Sequence, residues 1–291
     1  MSALTVRAYA KINLYLDVVG KRPNGYHELI TLMQSVSLYD TLTVERTRKE
    51  GVALETGGVL PADDSNLICR AARAYFARSG QPFGVAVTLD KQIPMQAGMG
   101  GGSADAAAML RALNTLDGER FTTEELCEIG ATIGADVPFC VVGGTCLCRG
   151  IGERMEAIEN TLGGVLVTAI AGEGVSTPAA FGELDRRYND FKEAHGDAVP
   201  TALITALRAG DPVTAATGFY NMFEEVIEPI RPMVGELKAV LRRHGAIAAM
   251  MSGSGPSVWG LFPDVATAEA AKQALVAMGA RAFVCHMCKG I

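Results

Sequence analysis

The stretch IPMQAGMGGGSADAAAML, residues 93–110, decides how the first half of this chain is organised. Four of the five residues from Gly98 to Gly102 are glycine, and an alanine-rich helical pattern follows directly. The first amides of a helix lack intrahelical partners and carry a partial positive charge, which an anion satisfies. Glycine lets the backbone fold closely around such a ligand. The stretch therefore predicts a phosphate-binding loop, with Ser103 as the N-cap of the helix.

A tight turn before a well-capped helix is the alternative interpretation of these glycines, and the sequence leaves both open. Asp105 suits the helix dipole but would repel a phosphate, so we expect its side chain to point aside. No GxxxxGK[ST] pattern is present, and Ser103 stands where the third glycine of a GxGxxG pattern would follow Gly98 and Gly100. A P-loop is therefore excluded, and a Rossmann dinucleotide fold is disfavoured.

Composition indicates a globular protein of one large or two ordinary domains, because the 291 residues are 49% apolar and 20% charged. The net charge is −6 without a basic block, so neither nucleic-acid binding nor a nucleic-acid partner is expected. Arg7 and Lys11 interrupt the N-terminal apolar positions, and glycine and proline break the longest uncharged run, 245–263, which argues against a signal peptide and a membrane span. Seven cysteines without an export signal predict reduced thiols and a cytoplasmic location.

Alternation and helical periodicity predict a mixed α+β chain. Every even position from Leu4 to Val18 is apolar, which predicts a strand with Lys11 and Asn13 together on its other face. Further strands are predicted at 36–44, 85–89, 164–170, 246–251, 257–262 and 281–286. Helices are predicted at 65–78 with Ser65 as cap, at 103–114, at 122–133 with a Thr122–Glu125 capping box, and at 266–278. We expect two α+β halves, residues 1–161 and 162–291.

Three short motifs resemble those of the GHMP kinases. Residues 94–103 resemble the ATP-binding motif of that family, Ala10–Leu14 its first motif and Ser252–Ser257 its third. The three occur in the family's order and cover the chain from position 8 to about 262, so the chain is identified as a member. The resemblance implies a two-domain α+β fold, with an N-terminal domain like domain 2 of ribosomal protein S5 and a ferredoxin-like C-terminal domain.

The resemblance is closer to one group within the family, and it is carried by residues 22–29, residues 134–139 and the triple glycine. They are similar to family members that phosphorylate the 2-hydroxyl of 4-diphosphocytidyl-2-C-methyl-D-erythritol, in the non-mevalonate (MEP) route to isoprenoid precursors. The resemblance thus implies this small molecule as substrate, with ATP and Mg²⁺ as cofactors. Two positions depart from the pattern, since Ala104 replaces a second serine and Asn24 replaces the usual aspartate.

The resemblance implies that Asp136 and Lys11 are catalytic. Asp136 is the candidate base, and Pro138 biases Val137 towards extended geometry, which should end the helix and present the carboxylate in a loop. A cation at Lys11 would keep that carboxylate ionised and stabilise the forming alkoxide. A solvated turn for Asp136 and a strand lysine reaching into water for Lys11 are the alternatives that the residues alone leave open.

The resemblance also implies two sets of binding residues. The expected ATP-binding residues are Pro94, Met95, Gln96, Ala97, Gly98, Met99, Gly100, Gly101, Gly102, Ser103, Ala104 and, towards the adenine, Asn66. The expected substrate-binding residues are Asn13, Tyr26, His27, Phe181, Gly253, Ser254 and Gly255. In this interpretation Tyr26 and His27 recognise a cytosine and Phe181 covers its other face. The open alternatives are a hairpin closed by Tyr26 and His27, a core role for Phe181, plain helix-start polarity for Asn66, ordinary strand polarity for Asn13 and a simple hairpin turn at residues 253–255.

Other chemistries have weaker support. Cys146 and Cys148, with Cys285, His286 and Cys288, lack zinc-finger spacing, so buried thiols are the expectation. No HExxH or GxSxG pattern is present. Two alternative functions remain: a sister kinase acting on mevalonate, homoserine or another small alcohol, and a nucleotide-binding protein without catalysis. The sequence predicts neither the ligands of a magnesium ion nor an oligomeric state.

Overall fold

A long antiparallel hairpin forms the centre of the molecule in the computed structural model, which describes residues 3–188, 191 and 200–290. Its strands are β1 (Leu4–Lys21) and β2 (His27–Thr47). The apolar even positions of β1 from residue 8 to residue 18 are buried, as the alternation predicts. On the opposite face Lys11 and Asn13 are only 5% and 3% exposed, because other parts of the chain cover them. The polar face of β1 is therefore internal around Lys11 and Asn13, whereas Thr5 and Arg7 near the start of the strand are exposed.

The first half of the sequence builds most of a seven-stranded sheet around this hairpin. Its other elements are β3 (Gly51–Glu55), α1 (Leu67–Ser79), β4 (Gly84–Asp90), α2 (Gly101–Leu116), α3 (Thr123–Ala131), α4 (Val137–Val142), β5 (Thr145–Gly150) and β6 (Arg154–Ala157). The sheet runs β3–β4–β2–β1, and β5 pairs with β2 and β6. Helix α2 packs on β1 through fully buried alanines, whose small side chains let the helix approach closely.

The second half forms a four-stranded antiparallel sheet with helices. Its elements are β7 (Val165–Ile170), α5 (Thr177–Arg187), α6 (Thr201–Ala209), α7 (Pro212–Ala216), β8 (Tyr220–Asn221), α8 (Glu224–Ile227), α9 (Pro232–Arg243), β9 (Ala248–Met251), β10 (Val258–Phe262), α10 (Val265–Ala277) and β11 (Arg281–Cys285). The order β11–β7–β10–β9, with all pairs antiparallel, is the ferredoxin-like arrangement that was expected. The two-domain α+β fold class is thus confirmed.

Residues of the second half also complete the first sheet. The short strand β8 pairs in parallel with β1, and the Cys288 amide donates to the Ser35 carbonyl at 2.8 Å. The two halves are therefore joined along β1 and β2, the strands that carry Lys11 and His27. No helix in the part of the chain that the structure describes has the length and apolar character of a membrane span.

Two predicted helix starts are wrong, and each error has a local cause. Helix α1 is capped by Asn66, whose side chain accepts from the Ile68 amide, because the Ser65 hydroxyl is bonded to Asp63. Helix α2 begins at Gly101, so Ser103 lies inside its first turn instead of capping it. The capping box of α3, Thr122 with Glu125, is present as predicted.

Candidate active site

The three motifs, residues 10–14, 94–103 and 252–257, meet at one place between the two sheets. The Lys11 amide donates to the Met99 carbonyl at 3.0 Å, which ties the glycine loop, residues 94–100, to β1. From the other side the Ser252 hydroxyl donates to the Gly98 carbonyl at 3.0 Å. The glycine loop is therefore fixed between β1 and the loop that joins β9 to β10, residues 252–257.

Close packing explains why glycine stands at two positions of this loop. Gly98 and Gly100 have φ angles of 77° and 68°, the left-handed region that favours glycine. A Cβ on Gly98 would lie 2.1 Å from the Ser252 carbonyl oxygen, and one on Gly100 would lie 2.9 Å from the Lys11 Cγ. No side chain caps α2, whose first amides follow directly after Gly100. The loop thus combines a bare backbone surface with a helix N-terminus, which suits a phosphate.

Lys11 and Asp136 form a charged pair beside the glycine loop. The Lys11 Nζ lies 3.5 Å from the Asp136 Oδ2 and donates to the Asn13 Oδ1 at 2.8 Å. The Asn13 Nδ2 donates in turn to the Thr31 hydroxyl at 2.8 Å. The Lys11 side chain is 6% exposed and that of Asp136 36%, so the ammonium is fixed while the carboxylate faces open space.

The loop that carries Asp136 differs in detail from the prediction. Helix α3 ends at Ala131, and Asp136 is the residue before the short helix α4. Val137 is the first residue of α4, so the extended geometry expected before Pro138 is wrong. The proline lies in the first helical turn, where its missing N–H costs no intrahelical hydrogen bond.

A cavity of about 930 Å³ extends from the glycine loop past Lys11 and Asp136 to the start of β2. It brings together most of the residues that the sequence singled out: Lys11, Asn13, Tyr26, His27, Pro94, Met95, Gln96, Ala97, Gly98, Gly100, Gly101, Gly102, Ser103, Asp136, Phe181 and Ser254. A volume of this size and a mixture of apolar and polar walls are typical of a small-molecule site.

Five of the singled-out residues do not line the cavity. Met99 and Ala104 are buried in the core. The side-chain amide of Asn66 is hydrogen-bonded to the backbone. Its Oδ1 accepts from the Ile68 amide, and its Nδ2 donates to the Pro61 carbonyl at 2.8 Å. Gly253 and Gly255 are buried in the 252–257 loop. A Cβ on Gly253 would come within 2.9 Å of the Gly98 carbonyl oxygen, so this glycine permits the close contact between the two loops.

Aromatic rings line the cavity near the start of β2, among them Tyr26, His27 and Phe181. The rings of His27 and Phe181 are stacked with centroids 4.5 Å apart, and Phe191 meets His27 edge-on at 5.4 Å. Phe181 therefore covers one face of the His27 ring, so a base cannot stack on that face. Tyr26 is 59% exposed and offers a free ring face beside it.

Asp105 points away from the glycine loop, as expected. Its Oδ2 accepts from the Lys91 Nζ at 2.7 Å, and the same Nζ reaches the Asp40 Oδ2 at 2.5 Å. All three side chains are at most 6% exposed. Burial, reinforced by the charge of Asp40 and opposed by Lys91, raises the pKa of Asp105 to about 8.

Two residues that position the site were not found from the sequence. Asn221 in β8 donates from its Nδ2 to the carbonyls of Met251 and Gly253, each at 2.9 Å, and so fixes the 252–257 loop. Asp185 in α5 accepts from His27, which is 158 residues away in sequence. Neither residue belongs to a motif, and only the tertiary fold brings them to the site.

The cysteines are free thiols inside the fold. Cys146 and Cys148 are buried in β5, and Cys285 is buried at the end of β11. Burial raises the pKa of the Cys146 thiol to about 11, so this group is protonated near neutral pH. Within residues 3–188, 191 and 200–290 no group of three or more His, Cys, Asp and Glu side chains is arranged for a metal ion.

Comparison with known proteins gives the family. Sequence models described as the GHMP kinases N terminal domain and the GHMP kinases C terminal match residues 66–144 and 203–281. The chain belongs to the GHMP kinase family. Residues of both matched segments line the cavity, so both halves of the kinase contribute to the site.

Individual relatives show which members of the family this kinase is similar to. The 4-diphosphocytidyl-2-C-methyl-D-erythritol kinase of Caldicellulosiruptor saccharolyticus is 40% identical over 90% of this chain and 89% of its own. The enzyme of the same name from Alkaliphilus metalliredigens is 37% identical over 94% and 93%. A crystal structure of 4-(cytidine 5'-diphospho)-2C-methyl-D-erythritol kinase superposes with a TM-score of 0.82 at 35% identity, covering 98% of this chain and 99% of that one.

Proposed function

We propose that this kinase transfers the γ-phosphoryl group of ATP to the 2-hydroxyl of 4-diphosphocytidyl-2-C-methyl-D-erythritol, a step towards isoprenoid precursors. The observation that carries the proposal is a single cavity in which the Lys11–Asp136 pair lies between a phosphate-type glycine loop and a pocket containing His27. Relatives of that name, 36–40% identical over most of the chain, favour this substrate over mevalonate or homoserine.

The glycine loop supports ATP as the phosphoryl donor. GHMP kinases are ATP-dependent, and the loop offers main-chain amides at the start of α2 where a triphosphate needs them. Ser103 lies in the same helical turn and lines the cavity. We place the phosphates against Gly100, Gly101 and Gly102, which line the cavity at the start of α2.

The reaction needs one proton acceptor and charge stabilisation. In our proposal the Asp136 carboxylate accepts the proton of the 2-hydroxyl as the oxygen bonds to the γ-phosphorus. The bond from that phosphorus to the β–γ bridging oxygen breaks, and ADP leaves. Lys11 stabilises the negative charge that develops, and Asn13 and Thr31 keep its ammonium in place by the hydrogen bonds described above.

Magnesium fits the oxygen donors of this cavity. Mg²⁺ in kinases is bound by one or two protein oxygens together with the substrate phosphates. Ser103 lines the cavity next to the glycine loop and is the residue that would hold the ion together with the ATP phosphates. When bound, the metal would neutralise phosphate charge.

Substrate recognition is proposed for the aromatic end of the cavity. Tyr26 offers a ring face for the cytosine, and His27 offers a nitrogen at its ring edge. Phe181 acts chiefly by fixing the His27 ring. The chain is proposed to consist of domains 1–161 and 162–291, and its seven free thiols favour the cytoplasm as compartment.

A direct assay tests the function. The protein is incubated with ATP, Mg²⁺ and the cytidine substrate, and the products are followed by phosphorus NMR. We expect ADP and a new phosphomonoester signal in equal amounts. Parallel reactions with mevalonate and homoserine serve as controls, and turnover of either in preference to the cytidine substrate would refute the assignment.

Substitution of Gly98 tests the glycine loop. We expect Gly98→Ala to raise the KM for ATP about tenfold or more, because its Cβ would collide with the Ser252 carbonyl and displace the loop. Gly58→Ala is the matched control, since Gly58 has a similar φ of 76° and open space around it. The control should cost about 1–2 kcal/mol of backbone strain and leave the KM unchanged. Equal KM values in the two variants would contradict this role.

A further inference from the structure

The ring of His27 is fixed in orientation by its surroundings. His27 is the first residue of β2 and is 7% exposed. Phe181 stacks on one of its faces with an interplanar angle of 17°, and Phe191 contacts it edge-on at 89°. A ring packed in this way cannot rotate freely, so each of its two nitrogens has a fixed direction.

Asp185 determines which of these nitrogens carries the proton. The His27 Nε2 lies 2.8 Å from the Asp185 Oδ1, and the Lys21 Nζ donates to the Asp185 Oδ2 at 2.7 Å. Burial raises the pKa of Asp185, but the hydrogen bonds from Lys21 and His27 outweigh it and lower the pKa below its usual range. The carboxylate is therefore ionised near neutral pH and can only accept, so Nε2 must be the donor.

A neutral histidine that donates from Nε2 has a lone pair on Nδ1. Among the described residues the Nδ1 of His27 has no hydrogen-bond partner, and His27 lines the cavity. The cavity thus contains a fixed acceptor at the ring edge next to the exposed face of Tyr26. Cytosine carries an amino group on C4 that donates to such an acceptor, whereas uracil carries a carbonyl oxygen there.

We propose that Asp185 is a positioning residue that makes the site selective for cytosine over uracil by fixing the Nε2–H tautomer of His27. The inference rests on the proposed function, because it concerns the base of that substrate. A uracil would place its O4 against the Nδ1 lone pair and leave both acceptors unpaired. The expected preference for the cytidine substrate is about 10- to 100-fold in kcat/KM.

Asp185→Asn tests the inference with two substrates, the cytidine compound and its uridine analogue. An asparagine amide can turn to donate to Nε2, which moves the proton to Nδ1 and lets His27 donate to the O4 of uracil. We expect the cytidine-to-uridine ratio of kcat/KM to fall about tenfold or more through KM, with kcat for the cytidine substrate unchanged. Glu183→Gln, two residues earlier in α5 and paired with Arg186, is the matched control and should keep the wild-type ratio.

Loss of activity on both substrates by the same factor would show a merely structural role and overturn the inference, as would an unchanged ratio. Nitrogen-15 NMR of the histidine rings gives an independent readout in the unsubstituted protein, because the chain has only 4 histidines and His27→Gln assigns the signal. Nε2–H is the expected form, and Nδ1–H would overturn the inference. If neither substrate is phosphorylated, the proposed function fails, and the tautomer still decides whether Asp185 fixes the ring.

Discussion

Replacing Asp136 with asparagine is expected to lower kcat by about 10²- to 10⁴-fold, the usual contribution of a positioned general base. The amide has nearly the same shape but cannot accept the proton of the substrate hydroxyl. Because the Asp136 side chain is partly exposed and no hydrogen bond from it caps α4, the substitution should leave the fold and ATP binding largely unchanged. Calorimetry with a non-hydrolysable ATP analogue measures the binding, and steady-state kinetics measures kcat.

The exposed surface residue Asp64 supplies the control for this substitution. Its side chain is 78% exposed, and Asp64→Asn should retain full activity. Wild-type kcat in Asp136→Asn would remove Asp136 from the base role.

Short motifs made most of the site predictable because its parts are local. The glycine loop and Lys11 on the polar face of β1 each have a sequence pattern with a physical reason, whereas Asp136 was implied by the family resemblance. The fold brings all three to one cavity. The two-residue period of a strand was enough to predict that Lys11 lies on the face of β1 opposite the buried even positions. What the pattern did not show is that Lys11 and Asn13 on this polar face are buried.

Partners that are distant in sequence were not predictable. His27 and Asp185 lie 158 positions apart, and the bond between them depends on how α5 packs against the start of β2. Asn221 belongs to a strand of only 2 residues, too short for any periodicity. Strand β5 was missed for a related reason, because five of its 6 residues are buried and neither face leaves an alternating pattern.

The predicted starts of two helices were wrong because local backbone geometry overrode the capping preference of the residue. Ser103 is a good N-cap residue by type, but Gly100 adopts the left-handed conformation and turns the chain into α2 before Ser103 is reached. Ser65 was expected to cap α1, yet both its amide and its hydroxyl bond to the Asp63 carboxylate. In both places glycine or aspartate set the backbone before the expected cap could act.

The buried lysine beneath the glycine loop gives the largest expected effect on stability. Lys91→Met should lower the free energy of unfolding by about 3–5 kcal/mol, because it leaves the carboxylates of Asp40 and Asp105 buried without their shared cation. Asp40 also accepts from the amides of Gln92 and Ile93, which lead into the glycine loop. We therefore expect weaker ATP binding in the same variant. Urea denaturation measures the stability.

The pH dependence follows from the raised pKa of Asp105, about 8 in the folded protein. The unfolded chain has an ordinary aspartate, so the folded state binds more protons between about pH 4 and pH 8, and stability falls as the pH rises through that range. Removing the Lys91 cation raises this pKa further, so the loss in Lys91→Met should be larger at pH 8 than at pH 5. Adding Asp105→Asn removes the group that must take up a proton on folding and should recover part of the stability, most of all at pH 8. The exposed pair of Lys272 with Glu269 is the control, and Lys272→Met should cost less than about 1 kcal/mol. If Lys91→Met and Lys272→Met lost the same free energy of unfolding at both pH values, the buried acid groups would not depend on Lys91. The proposed support of the glycine loop by Lys91 would then be wrong.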